Sequence, residues 1–379
     1  MSGVARSINF YPIDPEKPED GIANIALGLG KYIVDGGLTL RFSPRYPRKV
    51  LQLSTPEFAL RETQKHFYAL DLRPGTFMPS TDDSSNLQRL NIRDGESDGS
   101  LKNIISTFDY ESNMLRDGMF GSGKRIVTFS NILTHNVFPL AEILATVLET
   151  GQREMSKPVE IEFAVDLNRP KGTPALFNLL QIRPIVDNRE AIEAHLEDVV
   201  EKDAVIYAHH ALGNGIIRDV YDIVYIKPES FNPAANKETA LRVGKLNENF
   251  LSEKRNYVLV GPGRWGSNDP WLGIPVKWPQ ISAARVIVES GLEHYRIDPS
   301  QGTHFFQNLT SFRVGYFTIN PFLKDGHYDL DFLASQNPFY EDEVIRHIRF
   351  EQPLVIMIDG KKNLGVVMKP QIPDPIREE

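Results

Sequence analysis

The sequence predicts an α+β protein in two units: a mixed or antiparallel sheet with flanking helices, followed by a second, smaller α/β domain. Three observations carry that prediction. Val159, Ile161, Phe163 and Val165 alternate strictly with Glu160, Glu162, Ala164 and Asp166, the period of a half-buried strand. Directly upstream, Leu140, Ile143, Leu144, Val147 and Leu148 recur at helical spacing behind Pro139, which suits a first turn. Near residue 200 the texture changes to short apolar runs broken by turns, which places the boundary between residues 1–200 and 201–379.

The alternating strand is one limb of a hairpin. Ala175 to Arg183 is apolar enough for a second strand, and Asn168, Pro170, Lys171, Gly172 and Pro174 between the limbs are turn residues. Pairing Glu162 with Gln181 puts Glu160 opposite Arg183, so four polar groups collect on one patch of sheet. Carboxylate and amide oxygens suit a magnesium ion shared with nucleotide phosphates, and a guanidinium suits the phosphate itself. The same alternation is equally the mark of an amphipathic hairpin whose polar face meets water.

The hairpin resembles the closing strands of the ATP-grasp nucleotide domain in the phosphoenolpyruvate synthase and pyruvate phosphate dikinase family. There a D-I-E-[WF] strand precedes an L-Q-x-R-P strand; here the residues are Glu160-Ile161-Glu162-Phe163 and Leu180-Gln181-Ile182-Arg183-Pro184. The start of the chain is similar too. Met1 to Ser7 resembles the family's S-G-V-x-F-[TS] strand, and Gly28-Leu29-Gly30-Lys31-Tyr32-Ile33-Val34-Asp35-Gly36 resembles its G-L-G-E-x-[VI]-V-x-G. The resemblance implies ATP and Mg2+ as cofactors. It gives Glu162 and Gln181 contact with metal and phosphates, and Glu160 and Arg183 places in the same nucleotide site. Two departures stand out: Glu160 replaces an Asp, and Lys31 replaces an acidic residue.

In the family, about half of the nucleotide domain precedes the S-G-V strand. The resemblance therefore implies that the chain is a fragment or starts at an internal methionine, that its first strand lacks partners, and that the missing amino-terminal half or a second copy of the chain would cover it. The family's phosphoenolpyruvate-binding barrel, which takes about 250 residues, has no room here.

Composition sets outer limits. The chain has 379 residues, 41% hydrophobic and 24% charged, with no apolar run approaching a membrane span. A net charge of −8 argues against nucleic acid as a partner, although a metal ion can offset carboxylates around a nucleotide. The absence of cysteine excludes disulfides, thiol catalysis and thiolate metal sites. The amino-terminal residues show no secretory h-region, which points to the cytoplasm.

Several further stretches bear on function. Gly28 and Gly30 mark a tight strand-to-helix entry rather than a dinucleotide fingerprint, since no third glycine follows. A helix is expected over Pro56 to His66, and the polar stretch 79–100 reads as an inserted loop. Gly118 to Lys124 imitates a phosphate loop, yet Arg125 stands where a hydroxyl should hold magnesium and Ile126 to Phe129 reads as strand. Residues 186–204 suggest an acidic bridging helix. His209 and His210, adjacent on a strand, point to opposite sides. The turn around Gly261, Gly263 and Arg264 could present amides to an anion, or Trp265, Trp271 and Trp278 could simply pack a proline-rich loop. A closing hairpin turns at Asp359-Gly360.

Thr303-His304 faintly resembles the G-G-x-T-x-H of the family's phosphohistidine domain with its spacers missing, which makes His304 the nominated phosphoryl acceptor. Two functional expectations follow. One is a phosphotransferase piece that binds Mg-ATP and moves a phosphoryl group, with His304 as acceptor. The other is a degenerate, non-catalytic nucleotide-binding or regulatory module that holds a partner through the Arg264 and His304 loops.

Overall fold

The computed structural model describes residues 1–73, 86–97, 99–170, 172–185, 196, 199–267, 269, 271–291, 309 and 312–370. The chain divides into two compact units, Met1–Ile185 and Val186–Glu379. It is a mixed α+β protein with several sheets and few long helices.

The first unit runs β1 (Ser2–Arg6), β2 (Ile22–Ala26), β3 (Leu40–Phe42), β4 (His66–Leu70), β5 (Leu87–Asn91), β6 (Ile105–Asp109), β7 (Met114–Asp117), β8 (Lys124–Val127), β9 (Val159–Asp166) and β10 (Leu176–Pro184). Its main sheet has the order β10-β9-β1-β2-β3 and every pairing in it is antiparallel. Apart from Val4 and Ile22, the registers separate apolar from polar side chains in the rows that run across the sheet. On one face, Leu179, Phe163, Gly3, Ile25 and Leu40 form a row across all five strands, and Ile182, Ile161, Ala5, Ala23 and Phe42 form the next.

That apolar face carries the core of the unit. Burial of each large side chain there stabilises the fold by about 1.5–3 kcal/mol. The Leu140–Met155 helix packs on the face through Leu140, Leu144 and Leu148. At Gly151 it comes so close that a Cβ would lie 2.6 Å from Ile182 Cδ1 and 3.2 Å from Val159 Cγ2. Gly3 is required for a related reason, because a Cβ there would sit 2.2 Å from the buried Phe163 ring.

Three expectations about this unit need correction. The first strand is expected to lack partners, yet β1 is the central strand of the main sheet, paired with β9 on one side and β2 on the other. The Pro56 helix is capped by Thr55, whose hydroxyl accepts from the Phe58 amide, but it ends at Glu62. His66 instead opens β4. Of the stretch expected to be a loop, residues 87–91 form β5, paired with β4, and residues 79–85 lie outside the described residues. Cross-strand pairing supplies there what polar local sequence does not indicate.

The second unit runs β11 (Ala204–Ala208), β12 (His210–Leu212), β13 (Asn214–Ile226), β14 (Tyr257–Pro262), β15 (Arg264–Trp265), β16 (Gly273–Ile274), β17 (Ala284–Ser290), β18 (Gly315–Ile319), β19 (His327–Tyr328), β20 (Tyr340–Glu341), β21 (Ile345–Asp359) and β22 (Leu364–Met368). Its large sheet has the order β12-β18-β17-β14-β13-β21-β22-β11-β19. Strands β13, β14, β17 and β18 are parallel neighbours. The Asn236–Glu253 helix connects the parallel pair β13 and β14, as a crossover must. The expected closing hairpin is β21 paired with β22. Most of the acidic helix expected over 186–204 lies outside the described residues.

Candidate functional site

The polar face of the first sheet follows from the same registers. Gln181, Glu162, Val4, Asn24 and Arg41 form one row across β10, β9, β1, β2 and β3; Arg183, Glu160, Arg6 and Ile22 form the row beside it. Glu162 therefore stands opposite Gln181 and Glu160 opposite Arg183, the pairing expected from alternation. A register irregularity between Leu179 and Gln181 sets this phase on the edge strand.

Glu160 is clamped from both sides. Its Oε2 accepts from Arg6 Nε at 2.5 Å, and its Oε1 accepts from Arg183 Nε at 2.9 Å and from Arg183 Nη2 as well. The carboxylate side chain is only 7% exposed, whereas Arg183 is 57% exposed and faces solvent. Burial pushes the Glu160 carboxyl up, but the Arg183 hydrogen bonds and the Arg6 charge outweigh it and hold the pKa below its ordinary value. Glu160 raises the Arg183 guanidinium in return, through hydrogen bonding first and charge second.

Glu162 is half-buried and has no hydrogen-bond or ion-pair partner among the described residues; Gln181 is exposed. At the far end of its row Arg41 donates through Nη2 to Asn9 Oδ1 at 2.7 Å and to the Tyr11 carbonyl at 3.0 Å. Burial lowers the Arg41 pKa to about 10. The patch thus offers one unengaged carboxylate and one exposed amide beside two guanidinium groups that share a single carboxylate. Such a set can take phosphate oxygens at Arg183 and hard-oxygen coordination at Glu162 and Gln181.

The profile of the pyruvate phosphate dikinase AMP/ATP-binding domain matches residues 1–204. The chain belongs to that family. The match spans the whole first sheet and both strands of the hairpin, so the polar patch lies within an AMP/ATP-binding domain. No curated protein matches the chain.

Within this family framework the remaining candidates sort themselves. His304 lies outside the described residues. Lys31 opens a one-turn helix and pairs with Asp35 at 3.3 Å. Gly28 has φ +91°, and a Cβ there would lie 2.7 Å from the Tyr68 carbonyl oxygen, so its role is a close backbone approach. The imitation phosphate loop runs into strand β8, and Arg125 donates to Thr107 and to the carbonyls of Phe120 and Gly121, tying the turn shut. Trp265 is buried, with its indole donating to the Val288 carbonyl at 3.1 Å. Among the described residues no three His, Asp or Glu side chains gather as a metal cluster, and no helix is long and apolar enough to cross a membrane.

The sequence reading does not single out Arg6. Its signal is weak: one cation on the polar phase of a short strand whose other residues are small or apolar. The partner that gives Arg6 its meaning, Glu160, is 154 residues away in sequence.

Proposed function

We propose that the first unit binds Mg-ATP on the polar face of its main sheet and serves a phosphotransferase of the pyruvate phosphate dikinase type. The observation that carries this reading is the facing pair Glu162 and Gln181 beside Arg183, inside a family domain for AMP and ATP. Magnesium, when bound, would supply positive charge against the phosphates. Glu162 and Gln181 fit its preference for hard oxygen donors, with phosphate and water supplying the other positions. Arg183 orients a phosphate through its exposed guanidinium edge, while Glu160 fixes that guanidinium in place. His304 is the acceptor in this proposal, and the setting is the cytoplasm.

Calorimetry of the full chain with Mg-ATP tests the binding step. Micromolar binding that weakens about tenfold or more in Glu162→Gln is the expected result. Heat that is absent, or unchanged by that substitution, removes the site. Incubation with γ-labelled ATP followed by intact-mass analysis tests transfer: acid-labile label lost in His304→Asn supports it, and label that persists in that variant removes His304.

A second reading, a nucleotide-binding module without catalysis, is favoured by one observation: both Glu160 oxygens are already engaged by Arg6 and Arg183. Mg-ATP binding with no transferred label is its signature.

A further inference from the structure

The second unit contains a cavity of about 490 Å3 between the Asn236–Glu253 helix and strands β20 and β21. Its size lies in the range of small-molecule sites. Helical spacing brings Arg242, Lys245, Leu246, Asn249 and Phe250 to it along one face of the helix, and Phe339, Tyr340 and His347 close the opposite wall.

His347 sits at the base. Its side chain is 4% exposed, and its Nε2 lies 2.8 Å from Asp222 Oδ1. Asp222 is fully buried, and Arg349 and Arg255 donate to it as well. Burial acts to raise the Asp222 carboxyl, but hydrogen bonds from His347, Arg349 and Arg255 hold it below its usual value. An ionised carboxylate only accepts, so Nε2 carries a proton, which in the Nε2–H tautomer leaves Nδ1 as the acceptor. Nδ1 has no hydrogen-bond partner among the described residues. His347 lines the cavity, so a donor bound there can reach its ring.

The remaining chemistry narrows the ligand. Phe250 and Phe339 flank the imidazole, each with its ring centroid 5.1 Å away; Phe250 is also stacked on Tyr257 and Arg349 lies over one face of Phe339, so the open aromatic surface is that of the exposed Phe339 and Tyr340. Arg242 is paired with Glu238 and Asp342, and Arg349 with Asp222 and Glu253. Lys245, exposed on the helix, has no ion pair among the described residues, so the cavity has one cation to spare.

We propose that this cavity binds a planar aromatic or heteroaromatic monoacid: its ring lies against Phe339 and Tyr340, its N–H or O–H donates to His347 Nδ1, and its anionic group pairs with Lys245. The site is separate from the nucleotide patch and does not depend on it.

Three probes titrated into the full chain by calorimetry test each component. Indole-3-acetate has the ring, the N–H and the charge; indole-3-acetamide lacks the charge; cyclohexylacetate lacks the aromatic ring and the donor. The expected order of affinity is indole-3-acetate first, with Lys245→Ala weakening it about fivefold and leaving the amide unchanged. Phe339→Ala, at a position 58% exposed in the folded chain, should weaken both indoles without unfolding the protein. A shift of the His347 ring 15N resonances on adding either indole reports the Nδ1 hydrogen bond. No binding of indole-3-acetate at millimolar concentration overturns the proposal. So does binding that ignores both substitutions, or that leaves the His347 resonances unmoved.

Discussion

Arg6 and Glu160 meet at 2.5 Å on neighbouring strands although 154 residues separate them in sequence. Their contact joins the start of the chain to the hairpin and turns Glu160 from a free carboxylate into the centre of a three-residue clamp with Arg183.

The clamp makes acid stability depend on Glu160. Its folded pKa is depressed, so its contribution is fully present above the unfolded value and is lost as pH falls through the folded one. Glu160→Gln should cost about 1–3 kcal/mol at neutral pH. The difference from the unaltered chain should shrink as pH drops below the ordinary carboxylate range and through the lowered Glu160 value. Urea unfolding followed across that range measures it; a difference that does not change with pH would contradict the clamp.

Arg183→Lys retains the cation and discards the planar fork. Mg-ATP affinity should fall about tenfold. Unfolding free energy should change little, because Arg6 still holds Glu160. Calorimetry and denaturation on the same preparation separate the two effects, and equal losses in both would mean that Arg183 is structural only.

Gly3→Ala forces a methyl into the Phe163 ring. A loss of about 1–3 kcal/mol is expected from overpacking. Phe163→Leu in the same chain should recover part of it, giving a coupling energy well outside additivity. Simple addition of the two single losses would show that the strand moves aside at no cost.

Asp222→Asn leaves two guanidinium groups and an imidazole without their shared acceptor charge. Disruption of a buried ionic network of this kind costs about 3–5 kcal/mol. The second unit should therefore unfold earlier in denaturant. An unchanged transition would mean that water replaces the carboxylate.

Alternation fixed the phase of β9, whereas the irregularity between Leu179 and Gln181 that sets the phase of β10 was not legible in it. With a side-chain period of two, any register that buries Val159, Ile161, Phe163 and Val165 puts Glu160 and Glu162 on the other face, and Gln181 and Arg183 have to share one face of their own strand. The helix behind Pro139 was legible because five apolar residues at helical spacing leave one face to bury. Arg125 in place of a hydroxyl, and the strand after it, were enough to mark the imitation phosphate loop. By contrast, β5 is polar, and it is a strand because β4 lies beside it. The Asn236–Glu253 helix has no strong apolar stripe of its own: Asn236, Thr239 and Asn247 are buried with Val243 and Phe250.

Local sequence therefore determined which residues share a face, because that depends on a period of two or 3.6 residues. Tertiary structure alone decided which faces meet. It brought Arg6 onto Glu160, left Glu162 without a hydrogen-bond partner opposite Gln181, and brought His347 onto Asp222 from 125 positions away in the chain. Charge pairing and cavities are properties of distances in space, and a one-dimensional pattern carries no information about distances between strands whose order in the sheet differs from their order in the chain.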